Sequence, residues 1–321
     1  MHYDVFNGDA DGIIALLQLR LADPKISRLI TGVKRDIQLL SQVVEKEDAT
    51  SVTVLDISLQ KNITALNSLL DQHIPIFYCD HHQSGDIPQS SYLTSLINLD
   101  AETCTSLLIN QHLKGQFQTW AIAGAFGDNM TKRALALANQ SGLLASQTAF
   151  LKELGTLINY NGYGASLDDL HIAPVELFQT LLSYVDPFDL LEDSSSIFYQ
   201  LKAGYQQDLA QLADSKPMIE TPDYDVFLLP NKAWARRISG DFGNQLVNNH
   251  PDKAFAVLTL NENESDYTVS VRAPLNRREG ADEVCNQFAN GGGRRAAAGI
   301  NRLPIEQVEK FVEAMAKRFK R

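Results

Sequence analysis

The triplet Asp80-His81-His82 follows a short apolar segment, 74–79, and is one of four acidic groups that end apolar segments within the first 128 residues. The others are Asn7-Gly8-Asp9-Ala10-Asp11-Gly12, then Asp56 after Ser51-Val52-Thr53-Val54-Leu55, then Asp128 in Gly127-Asp128-Asn129. Carboxylates joined by one or two imidazoles suit hard divalent ions such as Mg²⁺ and Mn²⁺, and Mn²⁺ accepts a histidine readily. Two such ions about 3.5–4 Å apart can share a carboxylate and activate a water, which is chemistry suited to phosphate esters. Singly, each group has a plainer reading: Asp11-Gly12 as a turn before a helix, Asp56 as a helix cap. Their common position at element ends is what joins them.

That position depends on the elements. Residues 3–6, 28–33, 52–55, 74–79 and 95–99 read as strands, and 12–22, 62–72 and about 103–113 as helices. This alternation predicts a parallel sheet with helices on both faces, and such sheets place ligands at the carboxyl ends of their strands. Residues 120–138 read as helical with a break at Gly127-Asp128-Asn129, and helical patterning continues to about Leu212. Turn-forming residues at 214–217 and 221–223 mark a linker. Beyond it, strands at 226–229, 254–260 and 267–271 and helices at 281–289 and 305–317 predict a second, smaller α/β domain. The expected class is α/β: a parallel-sheet domain over 1–190, a helical connector and linker over 191–222, and the smaller domain over 223–321.

Composition narrows the partners. The 321 residues are 44% hydrophobic and 21% charged, with a net charge of −11, a balance that disfavours duplex DNA because duplex binding relies on many cationic contacts to phosphates. No apolar run reaches the ~20 residues that span a bilayer, and Met1-His2-Tyr3-Asp4-Val5-Phe6 lacks the pattern of a signal peptide, so a cytoplasmic location is expected. Cys79, Cys104 and Cys285 fit neither a disulfide framework nor a zinc site, and Cys79 reads as a small buried strand residue. His2, His73, His112, His171 and His250 show no ligand spacing, and Trp120 and Trp234 read as core.

In order, Asn-Gly-Asp-Ala-Asp-Gly, Leu-Asp-Ile-Ser, Asp-His-His and Gly-Asp-Asn resemble the four motifs of the DHH phosphoesterases, the first being similar to the RecJ-type form. Val269-Ser270-Val271-Arg272 followed by Gly291-Gly292-Gly293-Arg294-Arg295-Ala296-Ala297-Ala298-Gly299 resembles the DHHA1 substrate-binding domain. The resemblance implies a DHH catalytic domain with two divalent cations, Mn²⁺ foremost and Mg²⁺ as the alternative. Asp9 would hold one, Asp11, His81 and Asp128 the other, and Asp56 would bridge them. His82 would face the scissile phosphate, and Asp80 would hold a histidine by its other ring nitrogen. Arg272, Gly292, Gly293 and Arg294 would bind substrate. Three positions depart from the family pattern. Val5 stands where many members have a histidine, the neutral Asn7 replaces an aspartate, and Arg294 replaces the usual histidine after the glycines.

The expected activity is metal-dependent hydrolysis of linear dinucleotides or very short oligoribonucleotides, of the pGpG type, to mononucleotides. The alternatives are a single-strand exonuclease, a cyclic-dinucleotide phosphodiesterase and a non-catalytic nucleotide sensor, the last allowed by Val5, Asn7 and Arg294. The partner is a short nucleotide, with no membrane, and a homodimer is compatible with the chain.

Overall fold

The computed structural model describes residues 1–100, 102–213 and 215–320. The chain divides into two compact units, Met1–Gly204 and Tyr205–Arg321. Asp214, which opens the expected linker, lies outside the described residues.

The first unit begins with β1 (His2–Phe6), α1 (Ala10–Ala22), β2 (Ser27–Ile30), α2 (Ser41–Val44), β3 (Ser51–Leu55), α3 (Leu59–Asp71), β4 (Ile76–Asp80) and β5 (Leu93–Ile97). These strands pair in parallel in the order β2-β1-β3-β4-β5, so their carboxyl ends share one edge. Every residue of β1 is buried. Successive side chains on a strand point to opposite faces, and different helices cover the two faces. Tyr3 and Val5 pack in one cluster with Val43 of α2 and with Leu66 and Leu69 of α3. Asp4 faces α1, where the Arg20 guanidinium donates to it through Nε at 2.9 Å and Ser27 Oγ donates at 2.6 Å. Burial alone would raise the Asp4 carboxyl, but the hydrogen bonds with His2 and Arg20 hold it at about 2.

Helices α4 (Thr105–His112), α5 (Gln118–Gly127), α6 (Thr131–Gln140), α7 (Ala145–Asn161), α8 (Pro174–Leu181) and α9 (Ile197–Ala210) follow. The break expected near residue 128 is the gap between α5 and α6. Small residues let α5 approach its neighbours. A Cβ added to Gly127 would lie 2.4 Å from the Cβ of Ala10, and one on Gly155 would lie 2.0 Å from the carbonyl oxygen of Ala123. This contact sets the end of α5, and therefore Asp128, beside the start of α1.

The second unit contains β6 (Ile219–Glu220), β7 (Tyr224–Leu229), α10 (Ala233–Asn249), β8 (Ala254–Leu260), β9 (Asp266–Arg272), α11 (Ala281–Cys285), β10 (Gly291–Gly293), β11 (Ala297–Pro304) and α12 (Val308–Phe319). Its sheet runs β10-β11-β9-β8-β7-β6, with β7 and β8 parallel and the other neighbours antiparallel. Val226, Leu258, Val271, Val284, Phe311 and Phe319 belong to its core. Strands β6, β10 and β11 were not anticipated. Ala297-Ala298-Gly299 has weak strand propensity, so pairing with β9 decides its conformation. The helix expected over 281–289 stops at Cys285.

Candidate metal centre

The acidic groups meet where the parallel strands end. Asp56 follows β3 directly, and its backbone lies in the left-handed region at φ 59°. Aspartate tolerates that conformation better than most residues, and it turns the chain sharply at the strand end. Asp80 is the last residue of β4, with His81 and His82 immediately beyond. Asp9 caps the start of α1, Asp11 sits in its first turn, and Asp128 ends α5. The expected residues of the first unit thus come together from segments far apart in sequence.

Two ligand sets result. Donor atoms of Asp11, His81 and Asp128 lie within 4.8 Å of one another, as do those of Asp56, His81 and His82. The Nε2 atom of His81 is 3.4 Å from Asp56 Oδ1 and 3.7 Å from Asp11 Oδ2. Its Nδ1 lies 3.0 Å from the carbonyl oxygen of Thr103, which can only accept, so Nδ1 carries the proton and the Nε2 lone pair faces the acids. Asp11 accepts the backbone N–H of Thr105 through Oδ2 and of Ser106 through Oδ1, both at 2.7 Å, and thereby satisfies the start of α4. Thr105 Oγ1 donates to Asp56 Oδ1 at 3.0 Å. A carboxylate oxygen that accepts one such bond retains a lone pair for a metal.

Asp80 holds His82, not His81, through a 2.7 Å contact between Oδ1 and Nδ1. The His82 side chain is 37% exposed, whereas that of His81 is 2% exposed, so His82 is the imidazole that a solvent-borne ligand reaches. Partial burial works against its charge, but the hydrogen bond and the negative charge of Asp80 outweigh it and raise its pKa.

Asp9 is different. Its Oδ1 accepts the N–H groups of Asp11 and Gly12, at 3.0 and 3.1 Å, and its Oδ2 accepts from the Lys34 ammonium. Lys34 also donates to Asn159 Oδ1 at 2.8 Å. Burial would raise the Asp9 carboxyl, but Lys34 holds it at about 2. Among the described residues no ammonium lies against Asp56 as Lys34 does against Asp9. Burial, then the charges of Asp11 and Asp9, push its carboxyl well above the usual range.

The donor set fits a divalent cation. Carboxylates converge on the His81 imidazole, with His82 beside it in the Asp56 set; His81 is oriented from behind by a carbonyl, and like charge accumulates that a cation would relieve. The cysteines are not part of it: Cys79 and Cys104 are buried, and burial first, then nearby acids, push both thiols up. Sequence reasoning passed over Lys34, Thr103, Thr105 and Asn159. None lies in a motif, and only Lys34 carries a charge that signals a counterion to the acids.

No family model matches the chain, and no curated protein does. Solved structures do. An exonuclease RecJ bound to manganese superposes with a TM-score of 0.60 at 16% identity, over 98% of this chain and 88% of that one. RecJ from Thermus thermophilus, in complex with Mn²⁺, gives 0.63 at 16% identity over 98% of this chain, which spans about half (51%) of that protein. The pGpG-specific phosphodiesterase PggH from Vibrio cholerae gives 0.52 at 11% identity over 99% of this chain and 98% of that one. The chain has the RecJ fold.

Within this RecJ fold the second unit spends its expected substrate residues differently from the first. Arg272 is tied down, donating through Nε to Asn244 Oδ1 at 2.7 Å and through an Nη to Ser270 Oγ at 2.8 Å. Gly291–Gly293 forms a strand paired with β11, and Arg294 and Ala297 exchange backbone hydrogen bonds across a two-residue turn. Two of the glycines have packing reasons. A Cβ on Gly291 would lie 1.9 Å from the Cys285 carbonyl oxygen, and Gly293 has φ 143° with Ala298 Cα 2.5 Å from its ideal Cβ. Gly292 meets nothing within 4 Å, which leaves its backbone open to approach. Arg237 grips Asp208 with two bonds of 2.7 and 2.9 Å. Among the described residues, no helix is long and apolar enough to cross a membrane.

Proposed function

We propose that this protein is a metal-dependent phosphodiesterase that hydrolyses linear dinucleotides or very short oligoribonucleotides, of the pGpG type, to mononucleotides. The observation that carries the reading is the convergence of Asp11, Asp56, His81 and Asp128 at one sheet edge, with His82 at its more exposed rim. Those four residues would hold a divalent cation, Mn²⁺ foremost and Mg²⁺ as the alternative, which would supply a Lewis acid for the phosphoryl oxygens and acidify a water. The remaining work belongs to the chain. His82, its pKa raised by the Asp80 hydrogen bond, would present its Nε2 side to the ester and give the departing oxygen a proton. His81 is locked in one tautomer by the Thr103 carbonyl. In the second unit, Arg272, Gly292, Gly293 and Arg294 would hold phosphate or a base, with the open backbone at Gly292 the least obstructed of the four.

The short-substrate reading is supported by the near-complete mutual coverage with PggH and by the net charge of −11, which disfavours long polyanions. A single-strand exonuclease is the second reading, favoured by the higher TM-scores to the RecJ structures. Digestion with Mn²⁺ of pGpG, other linear dinucleotides, cyclic diguanylate, a short RNA and a long single-stranded DNA separates them. Preferential loss of pGpG supports the dinucleotide reading, and progressive shortening of the long DNA supports the exonuclease. Absence of turnover with nucleotide binding retained would refute hydrolysis and leave a sensor.

A further inference from the structure

The Lys34 ammonium sits against Asp9, the residue to which the sequence resemblance assigns the second cation. Asp9 differs from Asp11 in what engages it: backbone N–H groups take one oxygen, but the other already carries a full cation, the Lys34 ammonium, and Asp9 belongs to neither converging ligand set. The neighbouring position offers little to replace it. Asn7 is neutral, and its amide is spent locally: Oδ1 accepts the Asp9 N–H and Nδ2 donates to the Lys34 carbonyl, both at 3.2 Å. That second bond also fixes the segment that carries the lysine.

Lys34 is held from several sides. Its backbone N–H donates to the Gly162 carbonyl at 2.8 Å, and its ammonium lies 5.4 Å from the centroid of the Tyr163 ring. Asn159 receives one of its protons at 2.8 Å. Asn159 and Gly162 lie at the end of α7 and just beyond it, so the lysine is fastened between the loop after β2 and the end of α7. A lysine held this way is a built feature of the site and not a loose surface charge. An ammonium carries three donors, and Asp9 and Asn159 take two, which leaves the third for an oxygen of a substrate phosphate. The side chain is 24% exposed, so substrate can reach it.

We propose that Lys34 takes the place of the second divalent ion, so that the site holds one divalent cation, on Asp11, Asp56, His81 and Asp128, and uses the lysine as its other positive charge toward the phosphate. The inference rests on the phosphodiesterase reading above and departs from the pair of ions that the sequence resemblance implies. A fixed ammonium supplies charge and a hydrogen bond but cannot acidify water, so the two cationic positions have unequal roles.

The test is Mn²⁺ binding to the full chain, followed by calorimetry and by electron paramagnetic resonance. The wild-type protein is expected to bind about one Mn²⁺ and to show the six-line signal of an isolated ion. Lys34→Gln and the similarly shaped Lys34→Met, each checked for folding by circular dichroism, are expected to take up a second ion and to show a spin-coupled spectrum. Two ions with a coupled spectrum in the wild type would overturn the inference, and so would variants that fold but still bind only one. Either result leaves the phosphodiesterase reading intact. A wild-type chain that binds no Mn²⁺ overturns both, and loss of Mn²⁺-dependent hydrolysis with one ion bound overturns only the activity. Because the wild-type spectrum discriminates by itself, an unfolded variant does not rescue the proposal.

Discussion

The carboxyl edge of the first sheet and the Gly-Arg hairpin of the second unit both gather charge of one sign, but they treat it in opposite ways. At the sheet edge Asp11, Asp56, Asp80 and Asp128 crowd together, and the carboxyl of Asp56 is driven well above its usual range. In the second unit Arg272 is engaged by Asn244 and Ser270, and Arg237 by Asp208. One region accumulates like charge that folding leaves only partly compensated; the other distributes its charge into internal partners. Uncompensated buried charge is costly, and a fold that keeps it is prepared for a counterion that arrives with function.

The sharpest way to break that contrast is to remove the repulsion. Asp56→Asn should lower hydrolysis by about 10³-fold or more while raising the melting temperature of the metal-free protein, since it deletes a carboxylate pressed against Asp9 and Asp11. Steady-state rates beside calorimetric melting of the same sample check both halves, and a lowered metal-free melting temperature would contradict the account. Next in size, if His82 acts on the ester as proposed, and not as a ligand beside Asp56 and His81, His82→Ala should reduce kcat by about 10²-fold and leave Mn²⁺ affinity nearly unchanged. Loss of Mn²⁺ binding in that variant would instead place His82 among the ligands.

A third prediction concerns compensated charge within the first unit. Asp4 has a folded-state pKa of about 2 against an ordinary value of 3.8, so the folded protein binds fewer protons than the unfolded chain between those values. Its contribution, about 2 kcal/mol, is fully present above the unfolded value and is lost as pH falls through the folded one. Urea denaturation of wild type and Asp4→Asn from neutral pH down to acid checks this, and the difference between them should narrow at the acid end. In the second unit Arg272→Gln should raise KM about tenfold with kcat little changed, the loss of one charge-assisted contact. The smallest effect is Gly292→Ala, expected to shift stability by less than about 0.5 kcal/mol because its Cβ meets nothing, whereas Gly291→Ala should destabilise clearly. Thermal melts of the two variants would show whether the glycine run serves packing at one position and access at the next.

Local sequence determined a good deal of this. Alternating apolar strands and helices were legible as a parallel sheet, and a parallel sheet necessarily brings its strand ends to one edge, so Asp9, Asp11, Asp56 and Asp80-His81-His82 could be grouped before any coordinates, whereas Asp128, in a helical stretch, joined them only through the order of the motifs. Their residue types specified hard-cation chemistry for the same reason: ligand preference is a property of the side chain. What tertiary structure alone decided are the partners that arrive from elsewhere. Lys34 reaches Asp9 across 25 positions and Asn159 across 125, and Asp80 holds His82, two positions on, and not the adjacent His81. The triglycine segment reads locally as a loop and becomes a strand because β11 is there to pair with it. Periodicity reports which face of an element is buried, whereas a side chain's partner depends on how helices and loops from distant segments pack, and no local pattern encodes that distance.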